Sequence, residues 1–122
     1  MTVPEPPPML AASAEYAFGD TIGAADAAAV GHVVDAMRPR FGQPHVTRYA
    51  APSTADFAQL RLYYGARAVV GGWQVLPDVG KAMVAEEQAI GFSAGDRAFA
   101  VVWLAPRKDS PITPVNVIRF GD

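Results

Sequence analysis

The chain contains no cysteine, which excludes disulfide staples, thiolate metal sites and thiol nucleophiles together and leaves the redox compartment unmarked. Histidine is nearly as scarce, with two residues, His32 and His45. A transition-metal site would need several carboxylates beside them, yet there is no HExxH or comparable spacing, and no Asp-rich loop with EF-hand spacing. No metal and no cofactor are expected. Charge is sparse too: 18% of the 122 residues are Asp, Glu, Lys or Arg, against roughly 25% in ordinary soluble chains. The formal net charge of -2 supplies no basic field for a nucleic-acid backbone, and Lys and Arg are scattered apart from Arg107-Lys108. Nucleic-acid binding is not expected. No apolar run approaches the ~20 residues of a membrane-spanning helix, and MTVPEPPPML lacks the basic and apolar regions of a secretory signal. The expectation is a soluble, cytoplasmic chain.

What the chain does contain is apolar surface and punctuation. Half of it is hydrophobic, and 11 Gly and 11 Pro mark many turns. That length suits one sizeable core and leaves no room for two ordinary domains. Residues 1 to 8 are Pro-rich and form a polyproline-like arm, frayed unless something such as a neighbouring subunit holds it. Residues 9 to 122 then make a single domain.

Along that domain, Pro8 can open a short helix through MLAASAEYAF, with Gly19 as its stop. A second helix follows from Ala24 to Met37, capped by Asp20 or Thr21 and ended by Pro39 and Gly42. Ile22, Ala29, Val33 and Met37 share its core-facing side, while Ala24, Ala27, Ala28 and Gly31 form an outer strip that a second helix could approach closely. HVTRYA, residues 45 to 50, reads as a strand. Residues 56 to 64 fit a strand by alternation, which would make Gly71-Gly72 a hairpin turn. They equally fit a helix by the spacing of Phe57, Leu60, Tyr64 and Ala68. Helix is favoured, with Ser53 and Asp56 as a capping box and Gly71-Gly72 as its end. Trp73 to Leu76 suggests a short strand, and Pro77-Asp78 a helix running to Ile90 with Asp78 as cap and Gly91 as stop. That helix would bury Val79, Met83 and Ile90 and leave Lys81, Glu86, Glu87 and Gln88 facing solvent. AFAVVWLA, residues 98 to 105, and VNVIRF, residues 115 to 120, are the clearest strands. Between them PRKDSPITP, residues 106 to 114, reads as a constrained loop able to serve as a contact surface. The expected fold is α+β: two to four helices on one face of a small antiparallel sheet.

Three patterns could carry chemistry. Gly91-Phe92-Ser93-Ala94-Gly95 matches the G-x-S-x-G elbow that presents a nucleophilic serine at a strand-to-helix turn. Here the expected order is helix then strand, and both histidines precede Ser93 where the hydrolase order needs one after it. Ser93 is therefore assigned to a turn, and Ser93→Ala should leave any activity unchanged. His32 and Asp35, three residues apart on a helix, could form a general acid-base pair, with His45 or Tyr49 completing a site. An ordinary surface pair explains them as well. Gly71-Gly72-Trp73 lacks the phosphate-loop patterns and reads as a turn beside a core tryptophan.

No catalytic set emerges, so the expected function is a non-enzymatic assembly or interaction subunit of a homo-oligomer or larger complex, of the kind found among phage head or tail accessories. Its interface candidates are Pro6, Pro7, Pro8, Trp73, Arg107, Lys108 and Pro111, since aromatic residues are enriched at interfaces and charge is depleted there. A small α+β ligand-binding protein or enzyme, with His32 and Asp35 at the mouth of an apolar pocket, is the alternative.

Overall fold

The computed structural model describes residues 2–12 and 18–121. Its elements are β1 (Ala11–Ala12), α1 (Gly19–Phe41), β2 (Pro44–Pro52), α2 (Phe57–Val70), β3 (Gln74–Val75), α3 (Pro77–Lys81), β4 (Glu87–Ala94), β5 (Arg97–Leu104) and β6 (Ile112–Phe120). The strands make one antiparallel sheet in the order β1-β2-β6-β5-β4-β3. The α+β class and the pairing of the two C-terminal strands are as expected.

The helices, however, lie on both faces of the sheet. Phe99, Val101 and Trp103 of β5 point to the face covered by α2 and the N-terminal arm, and share a core with Phe57, Leu60 and Tyr64. Ala98, Ala100 and Val102 point to the other face, beneath α1 and α3, with Ala29, Val33, Met37 and Val79. Every residue from Ala98 to Leu104 is buried. A strand covered on both sides needs apolar residues at successive positions, which is why AFAVVWLA does not alternate.

Several boundaries differ from the sequence reading. The helix expected over residues 9 to 18 is replaced at its start by a turn, in which the Leu10 N–H donates to the Pro7 carbonyl at 3.0 Å, and by β1. Residues 13–17 of that span lie outside the described residues. Gly19 begins α1 instead of ending a helix, with Phe18 at the N-cap and Asp20 in the first turn, where its charge suits the helix dipole. Pro39 does not stop α1. It sits in the last turn, where burial of Phe41 against Phe120, ring centroids 6.4 Å apart, offsets the lost hydrogen bond, and Gly42 at φ +83° closes the helix. Ile22 is half-buried, and Asp26 is the residue of that turn that is buried.

Residues 57–70 form the favoured helix. Its capping box is Asp56 with Gln59: the Gln59 N–H donates to Asp56 Oδ1 and the Asp56 N–H to Gln59 Oε1, both at 3.0 Å. Ser53 belongs to the preceding turn. The helix expected to run from Pro77 to Ile90 stops at Lys81. Leu76, not Asp78, is its N-cap, and the chain turns at Glu86, which has φ +71°. Residues 87–94 are strand, so Gly91 is mid-strand and Glu87, expected in solvent, is buried. Ile90 leaves the α3 side for the opposite core. A Cβ on Gly91 would lie 2.5 Å from Val79 Cγ2, so the glycine lets α3 settle on β4. Finally, β6 begins at Ile112, which leaves residues 105–111 as the loop and buries Pro114 opposite Ala50.

Candidate functional site

Helix α2 is amphipathic in an unusual way. Phe57, Leu60, Tyr64 and Ala68 fill the core, and the opposite side is also largely apolar. Ala58, Leu62, Ala66, Val69 and Val70 are exposed, with Leu62, Val69 and Val70 at 75%, 69% and 89%. At 100° per residue these positions fall on one ridge along the helix. Arg61 and Arg67 flank it, and each is drawn back over an aromatic ring of its own helix, Arg61 5.9 Å from the Phe57 centroid and Arg67 3.6 Å from that of Tyr63. The crest therefore carries no charge. Gly65 lies beside the ridge, and a Cβ there would meet nothing within 4 Å. Internal packing does not call for that glycine, although it costs the helix about 1 kcal/mol relative to alanine.

The residues singled out for chemistry are not brought together. His32 turns away from Asp35 and its Nδ1 meets Glu87 Oε1 at 2.8 Å, across to β4. The same carboxylate oxygen accepts the Val84 N–H at 3.1 Å, so Glu87 ties α1 to the bend before β4. Asp35 and His45 are exposed. Ser93 is buried in β4 opposite Ala98 and Gln74. It borders an open cleft shared with Gly72, Gln74, Ala94, Gly95 and Arg97, which includes no histidine and no carboxylate. The GFSAG match is thus a strand running into a hairpin, with Gly95 at φ +64° in the first central position of a Gly-Asp loop, as a type II′ turn requires. The helix-to-strand junction expected there does not exist. Among the described residues no group of three His, Cys, Asp or Glu could hold a metal ion, and no helix is long and apolar enough to cross a membrane.

A polar pair that sequence reasoning missed lies under α1. Asn116 Nδ2 donates to Asp26 Oδ1 at 2.6 Å, with both residues buried. Burial pushes the Asp26 carboxyl above its ordinary pKa, against the smaller opposing effects of the Asn116 hydrogen bond and the Arg48 charge.

The interface candidates are dispersed. Trp73 is a core residue, its ring edge-on to Phe99 at 4.9 Å. Pro7 is buried, Pro6 half-buried and Pro8 exposed. Arg107 pairs with Glu86 at 2.9 Å, while Lys108 and Pro111 are exposed. Comparison with protein-family models, curated proteins and solved structures gives no match. Among the described residues, α2 carries three of the six exposed large apolar side chains, Leu62, Val69 and Val70.

Proposed function

We propose that the protein is a non-enzymatic assembly subunit that associates with a second copy of itself through the outer face of α2. The exposed, uncharged ridge of Leu62, Ala66, Val69 and Val70 carries this reading. The ridge is self-complementary. Two antiparallel α2 helices crossing near Tyr64 set Leu62 of each copy against Ala66 of the other, and Val70 against Ala58, so large side chains meet small ones under two-fold symmetry. Gly65, on the flank of the ridge at the level of the crossing, adds no side chain between the two helices there. Phage head or tail accessories are one setting for such a subunit.

A helix pair of this length makes a small interface, and association on the order of micromolar is expected. Sedimentation equilibrium on the full chain tests it: the wild type should populate a dimer, and Leu62→Arg should remain monomeric. A chain that stays monomeric at about 1 mM, or a dimer indifferent to Leu62→Arg, would sink the reading.

A further inference from the structure

The N-terminal arm does not fray. It runs along a groove between α2 and strands β2 and β6, where the Tyr63 hydroxyl donates to the Glu5 carbonyl at 2.6 Å and Trp73 Nε1 donates to the Thr2 carbonyl at 3.4 Å. Val3 and Met9 rest on the core, and Leu10 is part of it. Four of the seven residues from Thr2 to Pro8 are prolines. Each fixes its own φ at about −65° and biases the residue before it toward extended backbone, which selects the polyproline II helix over an α or 3₁₀ turn.

Exposure along the arm has the period of that helix. Thr2, Glu5 and Pro8 are exposed, while Val3, Pro4 and Pro6 are half-buried and Pro7 is buried. Polyproline II has about three residues per turn, so positions 2, 5 and 8 lie on one edge and the other two edges enter the groove. The hydrogen bonds keep the same period, since the accepting carbonyls of Thr2 and Glu5 are one turn apart. Two aromatic side chains thus offer an N–H and an O–H to successive turns of a helix that has few N–H groups of its own, as aromatic-lined grooves do when they recognise proline-rich segments. Neither bond uses an arm side chain. The groove therefore reads backbone conformation and the apolar residues of two edges, which other segments can supply.

The arm does not fill this groove. A half-open cleft remains between Val3 to Pro6 and the facing Thr47, Tyr49 and Val117. An identical arm from a second copy would make no contact that the closed chain lacks, and nothing would offset the entropy of association. A foreign segment with larger side chains on its inward edges has room to bury more.

We propose that the groove is a binding site for a proline-rich segment of another protein, an apolar residue followed by Pro-x-Pro-Pro in the polyproline II conformation, and that the chain's own arm occupies it in cis until such a segment displaces it. The site uses Tyr63 and Trp73, not the ridge residues of α2, and does not depend on dimerisation. The probe is the acetylated peptide TVPEPPPML, residues 2 to 10. The receptor is the full chain carrying Leu62→Arg, which removes ridge association, with its own arm released by Val3→Asp and Pro6→Asp. Calorimetry should show saturable binding at least about tenfold tighter than to the Leu62→Arg chain with its native arm, which competes at an effective concentration on the order of millimolar. The Trp73 indole N–H signal should shift as the peptide binds. Within the peptide, Glu5→Lys on the outward edge should leave the affinity within about twofold, whereas Val3→Asp on an inward edge should weaken it about tenfold or more. Tyr63→Phe in the receptor removes one donor and should weaken binding about threefold or more. Pro6→Ser alone, a milder release of the arm, should give the same order of affinities with a smaller margin, so the test does not rest on the folding of one variant. No binding to either released chain at about 1 mM peptide, equal binding to released and native-arm chains, or equal losses from Glu5→Lys and Val3→Asp would overturn the proposal. So would a mixed dimer when released and native-arm chains are sedimented together, since the groove would then exchange arms between copies.

Discussion

Asp26 and Asn116 show how a buried polar contact is decided by neighbours distant in sequence. The Asp26 carboxylate accepts one hydrogen bond, and Asn116 Oδ1 is left without a partner among the described residues. Protonation of Asp26 would create a donor for that oxygen, in line with the raised pKa. Because the folded-state pKa exceeds the unfolded value of about 3.9, the native state binds the proton more tightly. This contribution to stability is fully present below the unfolded pKa, falls as pH rises toward the native one, and is flat above it. Asp26→Asn should flatten that component of the stability profile between pH 4 and 8 in urea melts and leave the protein at least as stable at neutral pH, since an amide supplies the missing donor without a charge. Asp26→Ala, which strands Asn116, should cost about 1–3 kcal/mol. By the same logic Tyr64→Phe removes a buried hydroxyl that is unpartnered among the described residues and should be neutral or stabilising by up to about 1 kcal/mol. None of these pairs was legible in the sequence. The visible spacing was His32 with Asp35, but the partner His32 takes is Glu87, 55 residues away. Helical spacing reports only neighbours on the same helix, whereas this contact forms only once β4 has been laid beneath α1.

Elements were legible where local pattern and burial agree. The helix α2 and the strand β5 fall where their apolar spacing places them. The failure was the segment after Pro77, where a few apolar residues at helical spacing outweighed the short alternation of EQAIGFSA. Pairing decided it: β4 gains a full antiparallel register with β5, from Glu87 opposite Leu104 to Ala94 opposite Arg97, which a solvent-facing helix could not match. Gly91 was read as a helix stop, whereas its role is to admit Val79. Gly91→Ala should therefore destabilise by about 1–3 kcal/mol through overpacking. Adding Val79→Ala should recover part of that loss, and a double-mutant cycle would show the coupling. Additive effects would show that the contact does not explain the glycine. The opposite sign is expected at Gly65, where an added methyl meets no neighbouring element within 4 Å among the described residues. Gly65→Ala should stabilise the monomer by about 1 kcal/mol and weaken self-association, a combination that a purely internal role for the glycine does not produce.

At the scale of the whole molecule, both faces of the sheet are covered, and apolar surface reappears on the outside of α2. Leu62→Arg, at a residue three-quarters exposed, should change monomer stability by no more than about 0.5 kcal/mol while abolishing the dimer, as chemical melts and sedimentation of the same variant would show. A large loss of stability would instead mean that Leu62 serves the fold. The arm is a second feature of this scale. Its prolines exclude a helix, but its course along the sheet depends on Tyr63 and Trp73, roughly sixty to seventy positions further on, offering donors to its carbonyls. The groove that holds it is formed by β2, β6 and α2, three elements that no local pattern connects.

The amino-acid sequence by itself determined the α+β class, the presence of α1, the two C-terminal strands and the absence of cysteine, and favoured α2 over a strand without settling it, because propensity, periodicity and composition act over a few neighbouring residues. Only the tertiary structure decided which face each helix covers, that β4 is a strand, that Glu87 and Asp26 are buried, and that the arm lies in a groove between α2 and the sheet. Those outcomes depend on strand pairing and on burial against distant segments, and the free energy of such contacts is realised only when the whole sheet is assembled.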